Sequence, residues 1–331
     1  MTALFDPKAE PQPAKLLKPV RVAVGAGVSV VAPAASAKVE LATRGLDRLR
    51  ELGFEPRFGR HAFEKGPLYF AGAPAQRLED LHAGFADPGM GFVACLRGGY
   101  GSNYLLDGLD LEVIRKHPKP FFGYSDLTGV QLHLLDRLGL PAFHGPMVAA
   151  DFAIEKGVHL PSFHAALEGR SYRLGPAEGL RVLKTGLALR PVRGILYGGC
   201  LSILVSLIGT PFEPQTEGKL LFLEDVGAKP YQIDRMLWQL RQAGKLEGVS
   251  GIVFGEMLNC ASPGASAKLL DEVILHVLDD FDVPIAIGLR SGHVSRENVT
   301  LTFGVEAELR IEEEATLHLV EPAVAKAGMR E

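Results

Sequence analysis

Between residues 20 and 152 this 331-residue chain repeats one pattern: a short β-branched or continuously apolar run, then a stretch with an apolar residue every three or four positions. Residues 20–32 are the first run. A helix pattern follows, with Ser36 as its expected N-cap, Val39, Ala42, Leu46 and Leu49 on one face, and Gly53 as its stop. The pattern then predicts helix over 76–86, strand over 91–96, helix over 103–116 and strand over 119–124. Helix over 126–138, with Leu127, Val130, Leu134 and Leu138 aligned, precedes a strand over 140–144. Strands separated by helices of this length imply βαβ units and a parallel sheet.

The alternation breaks over residues 169–191, a polar segment rich in Gly, Pro and Arg with no evident helix, read as an interdomain connection. Beyond it come an apolar run over 201–208, strand over 219–223, helix over 231–243, strand over 249–254, helix over 267–280 and strand over 283–288. Residues 299–320 then alternate in strand fashion without helices. The expected class is α/β: a mostly parallel N-terminal domain (18–168) and a mixed C-terminal domain with added antiparallel strands (192–331). Residues 1–17, with Pro7, Pro11 and Pro13, are read as a flexible tail. The length fits two cores better than one.

Composition limits the function classes. A net charge of −4 without a basic run gives no nucleic-acid surface. Cys95, Cys200 and Cys260 are odd in number and widely spaced, which argues against a disulfide framework or a zinc site; Cys95 reads as a core filler in a strand. Lys15, Lys18 and Arg21 ahead of an uncharged run ending Ala35-Ser36-Ala37 imitate a signal peptide. That run is rich in Val, Gly and Ala, as a first buried strand would be, and is read as one. Gly25-Ala26-Gly27 lacks the third glycine of a dinucleotide fingerprint, and no phosphate-loop, His-Glu-x-x-His or Gly-x-Ser-x-Gly motif occurs. Glycine is in excess, 38 residues without a collagen period, against a usual ~7%.

Several of these glycines flank loops at the carboxyl ends of predicted strands, where open α/β sheets bind ligands. Arg97-Gly98-Gly99-Tyr100-Gly101 can turn backbone N–H groups toward a ligand, or serve only as a tight turn. Gly123-Tyr124-Ser125-Asp126 puts Ser125 between strand and helix, either as an exposed nucleophile or as an N-cap. Glu224 and Asp225 end a hydrophobic strand, and Gly292-His293 ends another. A serine hydroxyl needs a histidine to accept its proton and a carboxylate to hold that histidine. His144 competes with His293 for the first task and Asp225 with Glu224 for the second.

Taken together and in order, these stretches resemble the LD-carboxypeptidase family of serine peptidases, which includes the microcin C self-immunity proteins. The resemblance runs over residues 20–320. It also takes in Ala32-Pro33, Ala71-Gly72 before Arg77, His144-Gly145-Pro146-Met147, Gly198-Gly199 before Gly209-Thr210-Pro211, and Tyr231-Gln232-Ile233-Asp234-Arg235. It implies a Ser125, His293, Glu224 triad in a cleft between the domains, with an oxyanion hole from the N–H groups of Gly99 (with Gly98 adjoining) and Asp126. It further implies a cytoplasmic homodimer that needs no metal or other cofactor and removes D-alanine from murein tetrapeptides. A self-immunity amidase acting on a peptidyl- or aminoacyl-nucleotide is the alternative. Arg97, Gly98, Tyr124 and Arg290 are substrate-binding candidates. Cys200 stands where the family often has Asn. Trp238, in helical register with Ile233 and Leu237, is expected in the core rather than as a nucleotide platform.

Overall fold

A computed structural model describes residues 15–186, 190–261 and 268–326. The first half contains β1 (Gly27–Val31), α1 (Val39–Glu51), β2 (Glu55–Phe58), α2 (Pro74–Ala86), β3 (Met90–Cys95), α3 (Leu111–Lys116), β4 (Phe121–Gly123), α4 (Thr128–Leu138), β5 (Ala142–His144) and α5 (Leu160–Glu168). The remainder contains β6 (Tyr172–Leu174), β7 (Arg181–Lys184), β8 (Val192–Cys200), α6 (Leu201–Leu207), β9 (Lys219–Glu224), α7 (Pro230–Gln242), β10 (Gly251–Gly255), α8 (Lys268–Val277), β11 (Ile285–Leu289), β12 (Leu301–Phe303), β13 (Glu306–Ile311) and β14 (Ala315–Leu319).

The expected parallel sheet is present, in the order β12-β5-β4-β3-β1-β2, with β12 its one antiparallel member. Its inner strands read as apolar runs because both faces are covered, whereas the edge strand β2 (Glu-Pro-Arg-Phe) is partly exposed. Val28, Val30, Phe92, Ala94 and Phe122 pack toward α1 and α5, whereas Val31, Val93, Cys95 and Phe121 pack toward α2 and α4. Cys95 is thus the core filler expected of it. The strand order reverses between β1 and β3, so the loops leaving these two strands diverge and open a crevice at their carboxyl ends.

The second sheet has the order β6-β14-β13-β8-β9-β10-β11-β7. Its centre, β8 to β11, is parallel, and β13, β14, β6 and β7 add antiparallel edges. Leu237, Leu240 and Ile274 of α7 and α8 pack on its core.

Local expectations differ from the structure in several places. Residues 169–191 do not simply connect: β6 and β7 lie within them and close the two outer edges of the second sheet. Three- and four-residue edge strands carry too little periodicity to be read from sequence, and residues 187–189 lie outside the described ones. Likewise β12 is drawn from the second half into the first sheet, Leu301 pairing with His144. Helix α1 starts at Val39 rather than after Ser36, and Val39 is half exposed; Gly45 takes its place on the buried face. The helix expected over 103–116 splits into a 3-10 turn, Ser102–Gly108, and α3, whose start Asp110 caps through Glu112 and Val113 N–H. Of the tail expected over 1–17, residues 1–14 lie outside the described ones, while Leu17 donates its N–H to the Gly139 carbonyl. Among the described residues, no helix is long and apolar enough to cross a membrane.

Candidate active site

Ser125 sits where β4 gives way to α4 through a single 3-10 turn, Ser125–Leu127. Tyr124 is fully extended, and the chain then reverses at Ser125 with φ = +64°, a region that non-glycine residues seldom occupy. The reversal carries a cost of order 1–3 kcal/mol. It leaves the hydroxyl at the turn: neither the 3-10 turn nor α4 has a side-chain cap, so Ser125 is not the N-cap its sequence position also allowed. Gln131 braces the turn from α4, donating to the carbonyls of Gly123 (2.9 Å) and Phe143 (3.0 Å).

The glycine loop after β3 lies directly against this turn. A Cβ on Gly98 would stand 3.0 Å from Ser125 Cβ, and one on Gly99, where φ is +107°, would meet Ala35 Cβ at 2.7 Å. Only glycine lets the backbone pass this close. Two bonds lock loop to turn: Ser102 N–H donates to the Asp126 carboxylate (2.8 Å), and Ser102 Oγ donates to the Asp126 carbonyl (2.6 Å). Among the described residues, no main-chain carbonyl accepts from the N–H of Gly98, Gly99 or Asp126. Burial pushes the Asp126 carboxyl up, opposed by its bonds from Ser102.

Glu224 ends β9 with no exposed surface. Its Oε2 accepts from His293 Nδ1 (2.7 Å) and from His293 N–H (3.1 Å). Two glycines make the space: a Cβ on Gly255 would lie 2.6 Å from Glu224 Cβ, and one on Gly292 2.6 Å from Glu224 Cδ. Burial alone would pull the His293 pKa down. The Glu224 hydrogen bond and charge, aided by Asp225 and Asp151, more than offset this and raise it above the ordinary histidine value. With Nδ1 engaged, Nε2 remains for proton transfer. The Tyr124 ring meets the imidazole edge-on, centroids 5.2 Å apart at 90°.

Ser125 and His293 line one cavity of about 280 Å³. The loop after β1 gives it Ala37 and Lys38, the loop after β3 gives Arg97, Gly98 and Gly99, and residues beyond β5 give Met147, Ala149 and Ala150. This is the crevice at the strand-order reversal. Of the sequence candidates, Arg97, Gly98, Gly99, Tyr124, Ser125 and His293 converge here, with Glu224 behind His293. Arg290 does not: its guanidinium donates to the Ala177 carbonyl (2.7 Å) beside the Gly179 turn. His144 is wholly buried among Tyr124, Phe222 and Phe303, neither ring nitrogen has a partner, and burial holds its pKa down to about 3. It therefore stays neutral and away from the cavity. Asp225 turns aside to accept from Ser202 N–H (2.9 Å) and Val226 N–H (2.8 Å). Cys200 is buried, its N–H on Thr128 Oγ1 (3.1 Å).

Trp238 also departs from expectation, being 52% exposed on α7 with the Arg241 guanidinium over its ring. Ile233, Leu237 and Leu240 form the buried stripe, and Trp238, one position past Leu237, is turned ~100° away from that residue. Lys38, a cation at the cavity, was not foreseen, because the helix was expected to begin earlier and Lys38 then fell inside it.

The sequence profile of the LD-carboxypeptidase N-terminal domain matches residues 28–145, and that of the C-terminal domain matches residues 193–309. The chain belongs to the LD-carboxypeptidase family. It is 36% identical to the "probable murein peptide carboxypeptidase" of Bacillus subtilis over 315 residues, covering 95% of this chain and 96% of that protein. To the murein tetrapeptide carboxypeptidase of Pseudomonas aeruginosa it is 34% identical over 294 residues, covering 85% and 92%. The crystal structure of the muramoyltetrapeptide carboxypeptidase from Oxalobacter formigenes superposes with a TM-score of 0.78 at 27% identity, covering 89% and 99%. In this family member, therefore, the divergent loops of the first sheet and the strand ends of the second meet around one serine and one carboxylate-bound histidine.

Proposed function

We propose that this LD-carboxypeptidase releases the terminal D-alanine of murein tetrapeptides, with Ser125 as nucleophile, His293 as general base and acid, and Glu224 as the carboxylate that orients it. Ser125 Oγ attacks the carbonyl of the L-centre joined to D-alanine, and His293 Nε2 takes the hydroxyl proton. The C–N bond then breaks, His293 gives the proton to the departing amine, and an acyl-enzyme remains. Water, deprotonated by the same imidazole, hydrolyses the ester and restores Ser125. The Gly99 and Asp126 N–H groups, with Gly98 adjoining, bind the oxyanion; losing one such donor typically costs ~10²–10³ in rate. The leaving D-alanine bears a carboxylate, and Lys38 and Arg97 are the cations at the cavity.

One observation carries the reading: a serine held at positive φ and a histidine bonded to a buried glutamate line the same cavity. The nucleotide-directed alternative has less support, since Trp238 faces solvent away from that cavity. Mass spectrometry of a muropeptide mixture provides the test. The protein should remove one alanine mass from tetrapeptides and leave pentapeptides intact, and Ser125→Ala should lower the rate by ~10⁴ or more. Normal release by Ser125→Ala would overturn the assignment.

A further inference from the structure

Beside the cavity lies a carboxylate that this mechanism does not use. Asp151 is 7% exposed, and its Oδ2 accepts from Met147 N–H at 2.8 Å. Its Oδ1 accepts from Asn298 Nδ2 at 3.0 Å and stands 3.5 Å from the Tyr124 hydroxyl, which donates to it. Asn298 has no exposed surface. Its Nδ2 also donates to the Gly292 carbonyl (2.9 Å), and its Oδ1 accepts from Gly292 N–H (3.1 Å), so the amide grips Gly292 through both main-chain groups. Asn298 is itself fixed, donating its N–H to the Gly157 carbonyl (2.9 Å) and accepting from His159 N–H (3.0 Å). Tyr124 immediately precedes Ser125, and Gly292 immediately precedes His293. A single carboxylate is thus tied directly to the residue before the nucleophile and, through one amide, to the residue before the base.

We propose that Asp151 and Asn298 are positioning residues for the base, holding the Gly292-His293 segment in register with Tyr124-Ser125 while the Asp151 charge favours the imidazolium that forms when Ser125 is deprotonated. The inference rests on the assignment of Ser125, His293 and Glu224. A neutral side chain could anchor the Met147 N–H as well, and burying a carboxylate without a cationic partner is costly. The charge is therefore the feature that needs a role. Burial raises the Asp151 pKa to about 6, its hydrogen bonds opposing the rise, so the group is mainly ionised at neutral pH. The other groups acting on His293 are Glu224 and Asp225, which favour its charged form, together with the Tyr124 ring edge and neutral His144. Arg97 acts on Tyr124 from the cavity side.

The experiment uses full-length protein with Asp151→Asn and Asn298→Ala. The His293 ring resonance, assigned by its loss in His293→Gln, is titrated by NMR. Asp151→Asn should lower its midpoint below that of the wild type; an unchanged midpoint overturns the electrostatic role. In D-alanine release, Asn298→Ala should lower kcat by about 10–10²-fold with little change in KM, the cost of a misaligned base. Unchanged kcat per folded molecule, with only the melting temperature lowered, would mean that the pair is structural and overturn the positioning role. If Asp151→Asn does not fold, Asp151→Ser is titrated in its place and the same midpoint decides the electrostatic role, while the kcat of Asn298→Ala decides the positioning role. If wild-type protein releases no D-alanine, the substrate reading fails, whereas the His293 titration still tests Asp151.

Discussion

Glu224 is a carboxylate without solvent, and it can lie there because Gly255 and Gly292 leave its side chain room and His293 offers it two donors. Both halves of that explanation can be tested at single residues. In Gly292→Ala the new methyl would overlap the Glu224 carboxyl at a residue with φ = +89°. Folding stability should fall by about 1–3 kcal/mol in urea titrations, and activity should fall with it. Glu224→Gln keeps the shape but removes the charge that raises the His293 pKa. Release needs neutral His293, so wild-type kcat/KM should decline as pH falls through a midpoint above the ordinary histidine value of ~6.5. The variant should shift that limb to lower pH and lose on the order of 10⁴ in kcat. A pH–rate profile reads both. The loops holding Ser125, Glu224 and His293 were legible because each ends a predicted strand with glycine nearby, but the choice of Glu224 over Asp225 and of His293 over His144 came from the family resemblance. Asp151 and Asn298 were not legible, since nothing local distinguishes a buried Asp and Asn from loop residues, and their meaning arises only across 147 positions of chain.

Helix α1 shows how an element can be predicted correctly and still be placed by a feature its periodicity hides. Val39, Ala42, Leu46 and Leu49 suggested the buried face, but Gly45 is the contact point: a Cβ there would stand 1.8 Å from the Val148 carbonyl oxygen. Alanine is the better helix former by ~1 kcal/mol, whereas overpacking at such a contact costs ~1–3 kcal/mol, so Gly45→Ala should destabilise the protein. Thermal melts would reveal the sign. Because α1 follows Lys38 and the Val148 segment adjoins Met147 and Ala149, the displaced helix should also raise KM. The long, strongly periodic elements, α2, α4, α7, α8 and the central strands, were legible within a few residues. The short edge strands β6 and β7 were not, because their partners rather than their own sequence make them strands; β12 was legible as a strand but not as a member of the first sheet.

Across the whole molecule, the two sheets interlock rather than merely adjoin. β12 comes from the second half yet completes the first sheet, and Gly145 packs on Thr300 so closely that a Cβ would reach its Oγ1 at 2.8 Å. Gly199 of β8 passes equally near Thr128 at the start of α4. Fragments 1–191 and 192–331 expressed separately should therefore each lack cooperative unfolding by circular dichroism and release no D-alanine; an independently folded, fully active fragment would refute this. Sequence alone determined the α/β class, the order of the main elements and the loops holding Ser125, Glu224 and His293, because periodicity, glycine placement and residue chemistry are local properties, and the ordered motifs gave the family resemblance. Tertiary structure alone decided how Glu224 is buried against His293, that His144, Arg290 and Trp238 stand apart, that Lys38 reaches the cavity, and that β12 changes sheets. Each of these depends on distances between segments far apart in the chain, which packing fixes and local pattern does not encode.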